Sequence, residues 1–184
     1  TGFKFIGEQA KLIENTEKSF FFGYEESYGS VIKPFVRDKD SLQAALIITE
    51  MACLYKNKGY TLVDHLNKLY DAYGFYFDKV VSYSLDPLTG IEEVTRIMNT
   101  LRKNKVSTIA NYKVVKTEDY LEELENFPKS NVLRYIFEDG SFIAIRPSGT
   151  EPKYKIYYSL VAKDKEDSQT KFVSLQNSLQ ELIK

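Results

Sequence analysis

The chain has 184 residues with 25 Lys plus Arg against 26 Asp plus Glu, so it carries no excess of positive charge with which to neutralise a nucleic-acid backbone or an anionic membrane. Its 43% hydrophobic and 28% charged content is that of a globular protein, long enough for one large domain or two small ones. A single cysteine excludes an internal disulfide, no apolar run approaches the roughly 18 residues of a membrane span, and the N-terminus lacks a signal-peptide pattern, so a reducing, cytoplasmic setting is expected.

The chain starts at Thr1 without a methionine and runs at once into GFKFIGE, a glycine-punctuated apolar segment with the character of a fold interior, so a piece of a longer protein is expected. Phe20 to Phe22 read as a short buried strand that feeds GYEESYG, a polar loop bracketed by Gly23 and Gly29. Leu42 to Tyr55 is apolar on most faces and reads as a mostly buried helix, with Asp40 or Ser41 to cap its start and Gly59 to close it; Cys53 within it is expected as a buried small hydrophobe. Thr61 can cap a second helix, LVDHLNKLYDAY, in which Leu62, Leu66, Leu69 and Tyr73 recur at helical spacing, Asp64 faces the positive helix end and Gly74 is the stop.

The composition changes after Gly74, and a domain boundary with a hinge is expected near residues 75–88. FYFDKVVSYSL reads as a strand, DPLTG as a turn, and Ile91 to Arg102 as an amphipathic helix. VLRYIFEDGSFIAIR is two alternating strands around Asp139-Gly140, YKIYYSLVA alternates again, and Phe172, Leu175, Leu179 and Leu182 mark a closing helix. The second half thus reads as a small α+β unit, an antiparallel sheet with helices on one face, behind a first part of α/β character.

Two loops carry chemistry. RPSGTEPK, at 146–153, concentrates donors: Arg146 can meet two phosphate oxygens with its planar fork, Lys153 adds a point charge, and Ser148 and Thr150 add hydroxyls. Gly149 would let the backbone approach an anion closely and take positive φ, while Pro147 and Pro152 lower the ordering cost. The bland alternative is a rigid turn whose hydroxyls satisfy only local backbone. In GYEESYG, Glu25, Glu26 and Ser27 suit sugar hydroxyls, against the alternative of an acidic solvated turn; the loop offers few oxygens for a hard cation. His65, the one histidine, sits on a helix beside Asp64 and reads as a surface or half-buried residue, and no Ser-His-Asp or Cys-His arrangement can be built.

TGFKFIGE at 1–8, FFFGYEESYG at 20–29 and RPSGTEPKYKIYY at 146–158, in this order and separation, resemble the α-D-phosphohexomutase superfamily and within it bacterial-type phosphoglucomutase/phosphomannomutase. Intervening stretches such as YGFYFDKVVSYSL are similar too, so the resemblance covers essentially the whole chain. It implies part of that family's third domain over residues 1–76 and its fourth domain, a TBP-like antiparallel sheet with helices on one face, over 77–184. It also implies sugar contacts from Glu25, Glu26, Ser27 and, in the TGFK segment, Lys4, with the substrate phosphate held by Arg146, Ser148, Gly149, Thr150 and Lys153.

The activity so implied interconverts hexose 1-phosphate and 6-phosphate, of glucose or mannose, through a phosphoserine and a hexose 1,6-bisphosphate intermediate, with Mg2+ as cofactor. Neither the serine loop nor an Asp-x-Asp-x-Asp metal loop occurs in this sequence, so those parts are expected from N-terminal domains of the same chain, and this portion alone is expected to be inactive. The remaining alternatives are a phosphoglucosamine-type mutase and a stand-alone module that binds phosphorylated ligands without chemistry.

Overall fold

Alternation of apolar and polar residues builds most of the second half of the chain. In the computed structural model, which describes residues 2–122 and 127–184, six strands form one antiparallel sheet. They are β3 (Phe75–Ser84), β4 (Thr108–Ile109), β5 (Tyr112–Asp119), β6 (Leu133–Phe137), β7 (Phe142–Pro147) and β8 (Lys153–Ala162), in the spatial order β3-β8-β7-β6-β5-β4. Leu133, Tyr135, Phe137, Ile143, Ile145, Tyr154, Ile156, Tyr158 and Leu160 all point to one face and are buried there. Each such side chain contributes about 1.5–3 kcal/mol by leaving water.

Two helices cover that face. In α4 (Gly90–Lys103) the stripe Val94, Ile97, Met98 and Leu101 is buried, and in α5 (Lys165–Ile183) Phe172, Leu175, Leu179 and Ile183 are, the spacing a helix needs to present one apolar side. Asp164 caps α5 by accepting from Asp167 N. Tyr135 reaches from the sheet to donate to the Leu101 carbonyl at 3.2 Å, and burial pushes its phenol up to about 12. Lys171, only 3% exposed, is held by Asp139, by Ser141 Oγ at 2.8 Å and by the Val161 carbonyl at 2.9 Å, which ties α5 to the β6–β7 turn and to β8. That turn holds Gly140 at φ 85°, a left-handed conformation glycine adopts without strain. β5 was not foreseen: YKVVKTED carries charge on both sides and a register shift between Val114 and Lys116, so it shows little period-two signal.

The chain divides into two compact units, Thr1–Leu69 and Tyr70–Lys184. Residues 75–84, where a boundary and hinge were expected, are β3, paired with β8 from Phe75↔Ala162 to Ser84↔Lys153 and so part of the sheet.

The first unit contains α1 (Lys4–Leu12), the short hairpin of β1 (Gly23–Tyr24) and β2 (Ser30–Val31), α2 (Ser41–Asn57) and most of α3 (Leu62–Tyr73). Asp40 caps α2 by accepting from Leu42 N and Gln43 N. Thr61 and Asp64 cap α3 reciprocally: Asp64 N–H donates to Thr61 Oγ1 at 3.0 Å, and Thr61 N–H donates to Asp64 Oδ2 at 2.8 Å. Hydrogen bonds from Thr61 hold the Asp64 carboxyl below its ordinary range. His65 is half-buried, with Nε2 2.8 Å from Tyr55 OH.

GFKFIGE opens a helix, α1, whose Gly7 packs against the Arg37 carbonyl. Two expectations fail in this unit. Phe20 to Phe22 form no strand, and Phe21 is 89% exposed, because no described segment pairs with that backbone. α2 is a helix as expected but has no buried residue, and Cys53 is exposed: hydrophobic content sets how much a helix can bury, while burial needs a second surface, and no described element covers this one.

Candidate functional site

The GYEESYG loop is the turn of the β1–β2 hairpin, closed by Glu25 N–H donating to the Gly29 carbonyl at 2.9 Å, with Tyr28 left-handed at φ 70°. Glu26 and Ser27 are exposed at its tip, while Glu25 is partly withdrawn. The side chain that withdraws it is Lys39, which sequence reasoning missed: its Nζ lies 3.8 Å from Glu25 Oε1 and 3.0 Å from Asp38 Oδ1. Asp38 raises the Lys39 ammonium above its ordinary value. The close approach is possible because residue 29 is glycine, since a Cβ there would fall 2.1 Å from Lys39 Cδ and 2.5 Å from Glu25 Oε1. Lys4 is the exposed first residue of α1, its Nζ 5.1 Å from the Phe5 ring centroid, and it joins neither Glu25, Glu26 nor Ser27 by any ion pair or hydrogen bond among the described residues. Thr1, which begins its motif, lies outside the described residues.

The RPSGTEPK loop connects β7 to β8 in the second unit. Ser148 N–H donates to the Lys153 carbonyl at 2.8 Å and closes the turn. Ser148 Oγ accepts from Thr150 N at 3.4 Å and Glu151 N at 3.2 Å, so this hydroxyl shapes the loop as well as being available near an anion. Lys153 is paired with Glu151. Arg146 is the last residue but one of β7 and has no ion pair or side-chain hydrogen bond among the described residues. Gly149 differs from expectation: it is not among the positive-φ glycines, and a Cβ there would meet nothing within 4 Å. The fold itself therefore gives no reason for glycine at 149, and the space beside it is open.

The loop is braced from behind. Leu85 N–H donates to the Pro152 carbonyl at 2.8 Å, and Gly90, the first residue of α4, is so close that a Cβ would sit 2.7 Å from Pro152 Cβ and 2.8 Å from Leu85 Cβ. The arrangement brings Arg146, Ser148, Gly149, Thr150 and Lys153 onto one turn, and Glu25, Glu26 and Ser27 onto another, each at least partly open to solvent. Among the described residues no group of three or more His, Cys, Asp or Glu is arranged to hold a metal ion, and no helix is long and apolar enough to cross a membrane.

Comparison with known proteins bears on the same segments. Residues 1–73 match the family description "Phosphoglucomutase/phosphomannomutase, alpha/beta/alpha domain III", and residues 92–169 match "Phosphoglucomutase/phosphomannomutase, C-terminal domain". The phosphoglucomutase of Staphylococcus aureus strain MSSA476 is 41% identical over 178 residues, 91% of this chain and 32% of that protein. The phosphoglucomutase of Staphylococcus haemolyticus is 41% identical over 170 residues, 86% of this chain and 31% of that protein. Among solved structures, the open form of parafusin, an exocytosis-sensitive phosphoprotein and phosphoglucomutase from Paramecium, shares the fold with a TM-score of 0.67 at 20% identity, over 99% of this chain and 33% of its own. The chain spans about a third of the length of the curated relatives it matches. With domain III matched at one end and the C-terminal domain at the other, the chain belongs to the phosphoglucomutase/phosphomannomutase family.

Proposed function

We propose that this chain supplies the substrate-gripping loops of a phosphohexomutase that interconverts hexose 1-phosphate and hexose 6-phosphate of glucose or mannose, in the cytoplasm. The observation that carries the reading is the β7–β8 turn, where Arg146 stands without a carboxylate partner beside Ser148, Gly149, Thr150 and Lys153 in a loop with open space at the glycine. A phosphate dianion completes such a set: the guanidinium fork takes two oxygens, the ammonium a third, and a hydroxyl donates to what remains. The 41% identity to staphylococcal phosphoglucomutases supports the same choice of ligand.

Glu25, Glu26 and Ser27 read the sugar hydroxyls, with Lys39 fixing Glu25, and Lys4 is an auxiliary contact of the same unit. The transferring groups, a phosphoserine and the Mg2+ that neutralises charge on the moving phosphoryl, belong to parts of the whole protein outside this chain, as does turnover through hexose 1,6-bisphosphate. The role of this chain is to hold and orient. Holding the phosphate that is not being transferred gives the reacting end a fixed geometry, an advantage of position rather than of chemistry.

The test uses the complete protein with Mg2+ and follows turnover of glucose 1-phosphate and mannose 1-phosphate. Arg146→Ala is expected to lower kcat/KM for both by a similar factor, about 10- to 100-fold, the worth of a charge-assisted contact. Unchanged kinetics on both sugars would remove Arg146 from the site and the reading with it.

A further inference from the structure

We infer that Tyr28 contacts the substrate, its aromatic ring lying against the apolar face of a hexopyranose whose hydroxyls the rest of the loop holds. The inference rests on the reading of the GYEESYG turn as the sugar site.

The hairpin pairs Tyr24 with Ser30, and the Glu25 amide closes on the Gly29 carbonyl, which leaves Glu26, Ser27 and Tyr28 as a three-residue turn. A hairpin turn of this length favours a left-handed last residue, a place for glycine or asparagine. Tyr28 takes it, at φ 70°. Two other non-glycine residues are left-handed among the described residues, Asn15 and Ala110; one is of a type suited to that region and the other carries only a methyl group. Tyr28 is the bulky one. The glycine stands one position further on, at 29, where a Cβ would collide with Lys39 and Glu25.

Such strain needs something to offset it. Tyr28 is 98% exposed and its ring joins no aromatic pair among the described residues, so neither burial nor stacking does so. Tyr24, on the other side of the polar triplet, is held differently, stacked on Phe22 with ring centroids 5.5 Å apart. A large aromatic residue that strains the backbone and buries nothing points to a ligand.

The chemistry of a hexopyranose fits both halves of this turn. Its hydroxyls lie around the rim, within the capacity of Glu25, Glu26 and Ser27, while its faces carry C–H bonds. The electron-rich face of a phenol ring attracts those hydrogens and removes apolar surface from water. Tyrosine has only two side-chain torsions to fix, so the ring can be left free until substrate arrives.

The experiment uses the complete protein with Mg2+ and compares the wild type with Tyr28→Gly, Tyr28→Phe and Ser27→Ala on glucose 1-phosphate and mannose 1-phosphate. Tyr28→Gly is expected to lower kcat/KM about tenfold, chiefly through a raised KM, and Tyr28→Phe, which keeps the ring face, to recover all but about twofold. The melting temperature of Tyr28→Gly is expected to equal or exceed the wild type's, since glycine takes the left-handed region without strain; a merely structural tyrosine would lower it. If Ser27→Ala loses kcat/KM and Tyr28→Gly does not, or if Tyr28→Gly melts lower and Tyr28→Phe fails to recover activity, Tyr28 is excluded as a contact and the reading of the loop stands. If neither Ser27→Ala nor Tyr28→Gly lowers kcat/KM, the sugar site and the role of Tyr28 fall together.

Discussion

Lys39 lies against Glu25 across the bare backbone of Gly29, its Nζ 3.8 Å from the Glu25 carboxylate. The contact makes Glu25 a positioned acceptor, while Glu26 and Ser27 remain free at the tip. Gly29→Ala would drive a methyl group into Lys39 Cγ and Cδ and Glu25 Oε1. These are the ends of flexible side chains, so the cost to stability is expected to stay below about 1 kcal/mol. The pair itself must separate, and kcat/KM for hexose phosphate in the complete protein is expected to fall about tenfold or more, with the thermal melt of the variant as control. An unaltered kcat/KM would show that Glu25 needs no fixing.

Gly90 joins the 146–153 loop to the start of α4. A Cβ there meets Pro152 Cβ at 2.7 Å and Leu85 Cβ at 2.8 Å, atoms close to the backbone that cannot swing aside. Gly90→Ala is expected to destabilise the second unit by about 1–3 kcal/mol and to shift the loop, seen as a lower denaturant midpoint together with weaker glucose 1-phosphate binding.

Gly149 gives the opposite forecast. Nothing lies within 4 Å of a Cβ at that position and its φ is ordinary, so Gly149→Ala should leave stability unchanged or raise it by about 0.4–1 kcal/mol through the unfolded chain. If the open space is where the phosphate approaches, affinity for glucose 1-phosphate falls all the same. A variant that is stable and binds normally would place the phosphate elsewhere on the loop.

The Asp139–Lys171 pair ties the β6–β7 turn to α5. Burial opposes ionisation of Asp139, but hydrogen bonds from Lys171 and Ser141 prevail and hold the carboxyl below its ordinary value. A carboxyl depressed by folding contributes stability that is fully present above the unfolded value, about 3.9, and is lost as pH falls through the lower folded value. Asp139→Asn is therefore expected to destabilise by about 2 kcal/mol at neutral pH, less than a fully buried pair because Asp139 is partly exposed and Lys171 keeps Ser141 and Val161. The difference between variant and wild type should shrink below about pH 4. Urea melts at several pH values measure both.

Much of the second unit was legible because its residues obey one period at a time. Leu133 to Phe137 and Tyr154 to Leu160 alternate into a single core face, and Asp139-Gly140 marks the turn between β6 and β7. The donor-rich character of the 146–153 turn was legible from composition, since donors outnumber what a turn requires. Lys39 was not, because it stands ten residues beyond Gly29 and meets Glu25 only through the closing of the β1–β2 hairpin. Burial of α2 was misjudged because apolar content was taken as evidence of a covering surface.

The bare helix α2 bears on how any of this can be measured. Leu42, Leu46, Ile48 and Leu54 face water at 80%, 69%, 56% and 49% exposure, giving the polypeptide an oily flank. Phosphate and sulfate are strongly hydrated salts that are excluded from protein surfaces and press such flanks together. The oxyanion that ought to fill the loop would thus, at high concentration, also salt the chain out. Dilute sugar esters at low ionic strength separate specific capture from precipitation, where molar inorganic salts would confound the two.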